Sequence, residues 1–394
     1  MNYKLDHLGQ FYGAVNNEKN PGTFSVGVYL NESIEPEVLQ RAANDLMNRL
    51  PHMNVRKLSG FFHYYNVVID TPVKIEKECE GAEPCRYFEN GSHLLRIIYG
   101  ERHFTLEVLH SVCDGRSLAM AASSLLIRYF ELLGIEVNKD GLLDCNCIGV
   151  TEETEDAYAR HADMKNKYKS SKNEDAYVPK HQSARPQTFM RKFDLTELKL
   201  KAKAHCITLS EYIMAHIFSE FTKQRKKEGV NKSITCSVPV DCRGFFPSKS
   251  LRNFVTNKIV KMPELVGFTE MVQGIKAQFA EITPEYILGR ISEMEKLIHF
   301  GRFVPLFIKK WIIRRVGHNA SAGCTSGFSN LGLIKLPEEI KHKVDMYAFA
   351  LGAEPTMPYQ FACVAIGNTL TLTTTTTDED TKIIDRIFKA LMAE

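Results

Sequence analysis

The chain reads as an α+β protein built of two lobes, and three observations predict this. Strand-like and helix-like segments alternate in both halves without a strict strand–helix–strand rhythm, which favours mixed sheets over a doubly wound parallel one. A charged, Ser/Asn/Pro-containing stretch poor in aliphatics, TEETEDAY through KNKYKSSKNEDAYVPKHQSARPQ, interrupts the pattern near the middle. Two passages, IIYGERHFTLEVLHSVCDGRSLAMAASSLL and VAIGNTLTLTTTTTDEDTKIIDRIFKALM, also repeat one order of events. Each runs through an apolar strand, a Gly-led hairpin, a second strand, a polar loop with an Asp and an apolar-faced helix. Aligned on the second strand, His110 falls opposite Thr376 and Asp114 opposite Asp380. The expected organisation is a first lobe over 1-150, a linker or crossover over 151-187 and a second lobe over 188-394.

Taken in order, Thr23 to Leu30 reads as a strand closed by the polar turn Asn31-Glu32-Ser33. Pro36 to Leu50 places Val38, Leu39, Ala42, Leu46 and Leu50 on one face of a helix. Phe61 to Ile69, Leu94 to Tyr99 and His103 to Leu109 read as strands, the last two joined through Gly100-Glu101-Arg102. The Ala- and Leu-rich run from Arg116 predicts a long helix closing at Gly134. Past the connecting stretch, Phe189 to Leu195, Ser233 to Val240 and Asn253 to Met262 read as strands, with a helix over Thr208 to Glu228. Two helices follow, then strands near Ser326 to Leu331, Val344 to Leu351, Phe361 to Ile366 and Leu370 to Thr376. A helix over Asp380 to Ala393 closes the chain.

At 394 residues and about 150 per domain, the length suits two large lobes. A net charge of +3 gives no global basic field for nucleic acid. With 44% hydrophobic residues the chain can bury substantial cores, which excludes a disordered protein. The first twenty residues lack an apolar signal-peptide core, and no run approaches the roughly 18 apolar residues of a membrane span. Ten cysteines without a CxxC pair, in a chain with no export signal, are expected to be reduced thiols in the cytoplasm. Phe303 to His318 reads as an amphipathic helix whose outer face carries Lys309, Lys310, Arg314 and Arg315. That face is either simply solvated, meets the phosphates of a nucleotide-bearing substrate, or docks on a membrane surface.

The sharpest chemical feature is Leu109-His110-Ser111-Val112-Cys113-Asp114-Gly115. A histidine where the chain leaves a sheet can project into a cleft, and imidazole can take and return a proton near neutral pH. Asp114 suits a helix N-cap, and Gly115 is expected to supply a positive φ in the turn. No nucleophile-elbow, dinucleotide or Walker A pattern is present, and the spacing of His103, His110, Cys113 and Asp114 fits no standard metal site.

LHSVCDG resembles the HHxxxDG signature of the chloramphenicol acetyltransferase-like superfamily, which includes nonribosomal peptide condensation domains and alcohol O-acyltransferases. The resemblance covers nearly the whole chain. Val238 to Pro263 (VPVDCRGFFPSKSLRNFVTNKIVKMP) is similar to the condensation-domain "G-x-F-V-N-T" region. TSGFSNLG (Thr325 to Gly332) and RLPHMNVRKLSGFFHYY are similar to segments of bacterial alcohol acetyltransferases. The resemblance implies two lobes arranged as a pseudo-dimer around a central cleft or tunnel, with one active histidine. His110 matches the catalytic base. Asp114 matches an aspartate that pairs with an arginine and holds the loop, and Gly115 matches the motif glycine. The first motif histidine is Leu109 here, which weakens the case for a peptide-forming condensation domain.

The implied activity is transfer of an acyl group, expected to be acetyl, from an acyl-CoA co-substrate such as acetyl-CoA to an alcohol hydroxyl, without an acyl-enzyme or a permanently bound cofactor. Ser329, Asn330 and then Asn257 are the candidates for stabilising the oxyanion, each equally readable as a structural polar group. Two alternatives stay open. One is a thioester carried by a partner carrier protein, favoured by a basic or apolar docking patch beside the cleft; the other is a catalytically silent binding module.

Overall fold

The computed structural model describes residues 2–79, 85–89, 91–170, 176–179, 181–262, 266–321 and 324–393; the side chains of 184 and 316–321 are outside this description. Residues 171–175 and 180 of the expected linker and Pro263 therefore lie outside it, as does the side chain of His318 at the end of the basic segment.

The fold is mixed α+β, with two large sheets and a small one. The first large sheet orders Val344–Leu351, Thr23–Leu30, His103–Leu109, Leu95–Tyr99 and Ile75–Lys77. The second orders Val255–Met262, Ile234–Asp241, Ser326–Ile334, Tyr359–Ile366, Thr369–Asp378 and Gln182–Asp194. Each sheet packs helices against its own apolar core. The repeat seen in the sequence reappears in the pairing. Leu95–Tyr99 lies antiparallel to His103–Leu109 and parallel to Ile75–Lys77, while His103–Leu109 is antiparallel to Thr23–Leu30. Tyr359–Ile366 has the same senses towards Thr369–Asp378 and Ser326–Ile334, with Gln182–Asp194 antiparallel to Thr369–Asp378. One strand breaks the symmetry: Val344–Leu351 crosses from the second half and pairs antiparallel with Thr23–Leu30.

The helix Gly115–Leu132 follows from its sequence. Asp114 caps it by accepting from Ser117 N, apolar residues fill nearly its whole surface, and Gly134 takes the left-handed conformation (φ 87°) just beyond the end. It is buried between the first sheet and the helix Pro36–Arg49. All ten cysteines are free thiols, and no helix among the described residues is long and apolar enough to cross a membrane.

Several elements differ from the sequence expectation. Phe61 to Ile69 is not one strand: Tyr64–Val68 pairs with Val55–Ser59, and Phe61 and Phe62 sit at the hairpin tip. The strand Gln182–Asp194 starts inside the expected linker. It lies at a sheet edge, so its first half needs no apolar alternation and tolerates Pro186. Three helices, not two, lie between the strands Val255–Met262 and Ser326–Ile334: Phe268–Ala280, Pro284–Gly301 and Leu306–Ser321. The helices His7–Val15 and Leu195–Ala204 were not anticipated.

Candidate active site

A cavity of about 1920 Å³ runs between the lobes, lined by Tyr12, His110 and Met120 from the first half and by Asn257 and Ser329 from the second. Ligand pockets typically enclose about 300–1,000 Å³, so this space can hold two substrates at once.

His110 follows the last residue of His103–Leu109 and lies on the cavity wall. Its backbone N–H donates to Gly22 O at 3.0 Å, fixing the turn. Tyr12 stacks flat on the imidazole (centroids 4.4 Å apart, planes 3° apart), and Phe24 meets it obliquely at 4.8 Å. These rings hold the imidazole in one plane.

The protonation of the ring follows from its neighbours. Asn253 Nδ2 donates to His110 O at 3.0 Å, a carbonyl that can only accept, and lies 3.4 Å from the Asp6 carboxyl. Asn253 Oδ1 must then face His110 Nδ1, at 3.1 Å, so Nδ1 carries the hydrogen. Nε2 is left with its lone pair for a ligand in the cavity. Burial lowers the His110 pKa below the ordinary histidine value, although its own carbonyl, Asp114 and Asn253 oppose the shift. The ring is accordingly neutral at pH 7.

Asp114 does not touch the imidazole as a hydrogen-bond partner. Its Oδ1 accepts from Ser117 N at 3.0 Å, and its Oδ2 accepts from Arg243 Nη1 at 2.7 Å and Phe254 N at 2.9 Å. Burial pushes this carboxyl up, but Arg243 and the backbone donors outweigh it and hold the pKa below the usual carboxylate value. Arg243 in turn donates to the carbonyls of Ser250 and Arg252 at 2.7 and 2.8 Å. One buried ion pair thus ties the histidine turn to the second-lobe loop that carries Asn253.

Gly115 corrects the sequence expectation. Its φ is not positive; it is the first residue of the helix. What it supplies is space, since a Cβ there would stand 3.0 Å from Leu331 Cδ2 and 3.3 Å from Phe349 Cζ.

The oxyanion candidates all line the cavity and differ in commitment. Asn330 donates to Ser210 Oγ at 3.0 Å and accepts from Gly332 N at 2.8 Å, so its amide is occupied in holding a bulge. Asn257 is exposed, and its carbonyl accepts from the Tyr286 hydroxyl at 3.0 Å. Ser329 is half-buried, with its neighbour Phe328 in the second core. Sequence reasoning missed Tyr12, Asn253, Arg243 and Asp6 as contacts of the histidine turn. Arg243 and Asn253 lie within the stretch singled out from Val238 to Pro263, which was the available signal.

No family model matches the chain, and no curated protein sequence matches it. Solved structures do. The first condensation domain of the calcium-dependent antibiotic synthetase, in complex with a substrate analogue, matches with a TM-score of 0.63 at 13% identity, over 100% of this chain and 95% of that one. Polyketide synthase associated protein 5 from Mycobacterium tuberculosis matches at 0.62 and 14% identity, over 98% and 96%. Trichothecene 15-O-acetyltransferase from Fusarium sporotrichioides matches at 0.62 and 10% identity, over 99% and 94%. The chain has the fold that condensation domains and this acetyltransferase share, along its full length.

Proposed function

We propose that this protein is an acyltransferase that moves an acyl group, in the simplest case acetyl, from a CoA thioester to the hydroxyl of an alcohol or small metabolite. The observation that carries the reading is the neutral His110 on the cavity wall, with Nδ1 held by Asn253 and Nε2 left as a base.

In this mechanism Nε2 takes the proton of the acceptor hydroxyl while its oxygen attacks the thioester carbonyl. Collapse of the tetrahedral intermediate breaks the C–S bond, and the departing sulfur takes the proton back from the imidazolium. An ester and a free thiol leave, and no acyl-enzyme forms. Asp114 acts through Arg243 as an anchor of the turn rather than as a third member of a triad. Ser329 is the best placed of the oxyanion candidates, because the Asn330 amide is already engaged. If it serves so, Ser329→Ala lowers kcat by about 10²–10³.

The test is thiol release from acetyl-CoA and longer acyl-CoAs across a panel of alcohols, with His110→Ala beside the unaltered protein. Acceptor-dependent release that disappears in the variant supports the reading. Release that survives the mutation, or silence of the unaltered protein with every acyl-CoA, removes it. A carrier-protein thioester could feed the same His110 step.

A further inference from the structure

We propose that the helix Leu306–Ser321 and its neighbours form a docking surface for an anionic lipid bilayer. Amphipathic helices normally turn their apolar side inward, and this one, besides burying Leu306 and packing Ile313 inward, carries a second apolar side that is exposed. Leu306 is buried beside Leu5, Ala14 and Tyr64, and Lys309 donates to the Phe62 carbonyl at 2.9 Å, while Phe307 and Trp311, one turn apart, are exposed, as is Phe303 in the turn just before the helix. Phe61 at the hairpin tip and Leu297 and Phe300 on the preceding helix extend the patch. These six side chains are between 64% (Leu297) and 78% (Phe300) exposed. Isolated exposed apolar residues are ordinary, but five of these six falling within fifteen residues, Leu297 to Trp311, mark an interaction site.

Charge selects the occupant. No acidic residue occurs between Glu295 and Glu338, whereas Arg302, Lys309, Lys310, Arg314 and Arg315 all fall there. Arg302 lies over the Phe303 ring at 4.7 Å, and Arg315 is exposed. Protein interfaces fix register by mixing complementary charges. Lys309 and Arg314 are engaged with the carbonyls of Phe62 and Ala14, so the exposed Arg302 and Arg315 are the cations free to meet a surface, and basic residues without acids between 295 and 338 suit a fluid anionic one. Among the described residues no carboxylate pairs with Lys309, Lys310, Arg314 or Arg315.

The surface is continuous with the cavity. Leu297 and Arg314, on the two helices that carry the patch, also line the cavity. Docking there would bring this wall of the cavity to the bilayer, so that a lipid-soluble acceptor could enter without crossing water. That second step rests on the acyltransferase reading; the docking does not.

Trp311 is the chain's only tryptophan, so its fluorescence reports on the patch directly. The protein is titrated with phosphatidylcholine vesicles, with and without phosphatidylglycerol, including lipids brominated along the acyl chain. The expected result is a blue shift and bromine quenching with the anionic vesicles, weakened by salt. Flotation should show binding reduced by about tenfold or more in Phe303→Ser/Phe307→Ser, two exposed positions whose change leaves the fold intact by circular dichroism. An unshifted Trp311 with anionic vesicles overturns the proposal. So does a shift produced only by raising the protein concentration or by adding an acidic carrier protein. Turnover of a vesicle-borne long-chain alcohol, lost in the double variant while a water-soluble alcohol is still acylated, supports the access step. Equal turnover of the vesicle-borne alcohol by both proteins overturns that step. Vesicle binding without turnover of any acceptor removes the acyltransferase reading and leaves the docking standing.

Discussion

The two strand–turn–helix units of this molecule share a plan and differ at the turn. In the first, the ladder to Thr23–Leu30 ends at Leu109, and His110 is the first residue free of the sheet. In the second, the ladder to Gln182–Asp194 continues to Asp378, so Thr376, the counterpart of His110, is fully buried inside the strand. Asp114 is buried and held by Arg243, whereas its counterpart Asp380 is exposed and only caps Lys382 N at 3.2 Å. The buried acid of the second unit is Asp378, bonded to the Tyr359 hydroxyl within its own sheet. A turn that presents a histidine to the cavity therefore needs more than the repeat provides. The strand must stop early, and a polar anchor must arrive from the other lobe.

The comparison can be broken most directly at the histidine. His110→Ala is expected to lower thioester-to-hydroxyl transfer by about 10²–10⁴, while Thr376→Ala leaves turnover by the folded protein unchanged. Steady-state thiol release checks both, and equal effects would end the distinction between the units. At the aspartates, Asp114→Ala strands the buried Arg243 and should cost about 3–5 kcal/mol in denaturant unfolding. Asp380→Ala should stay within about 0.5 kcal/mol, since that side chain is exposed.

Asn253 sharpens the comparison through pH. On the proposed mechanism neutral His110 is the active form, so activity is expected to fall as pH drops through its folded pKa, and burial is expected to place that acid limb below 6.5. The Asn253 hydrogen bond holds the pKa up, so Asn253→Ala should move the limb further to acid. It should also lower kcat by roughly ten- to a hundredfold as the ring loses its orientation. A lowered kcat with an unmoved limb would assign Asn253 to packing alone. A modest effect is expected at Gly115, where Ala must push Leu331 and should cost about 1 kcal/mol by thermal unfolding. Its counterpart Thr381 already carries a Cβ.

The turn was legible because its signals are local: a strand end, a capping Asp and a long Ala/Leu helix within thirty residues. What gives the histidine its tautomer is not local. Asn253 lies 143 residues away in sequence and Arg243 lies 129 from Asp114, and neither spacing nor periodicity reports such contacts. Tyr12 escaped for the same reason, on a helix whose stacking partner lies on another element. The outward-facing aromatics were missed differently. Periodicity locates an apolar stripe between Phe303 and Ile313, but it does not say on which side of the helix the rest of the protein lies. Likewise the polar start of Gln182–Asp194 is a strand only because Thr369–Asp378 is there to pair with it.

The crossing strand Val344–Leu351 also constrains how the molecule can be made. The first sheet needs it to cover the edge of Thr23–Leu30, and Tyr347 and Phe349 belong to the first core. A ribosome delivering this chain from its N-terminus therefore cannot complete the first lobe until residue 351 of 394 has emerged. The two lobes are expected to refold together in one slow, long-range step rather than in succession. A fragment ending in the connecting stretch would present a bare sheet edge, prone to pairing with its own copies.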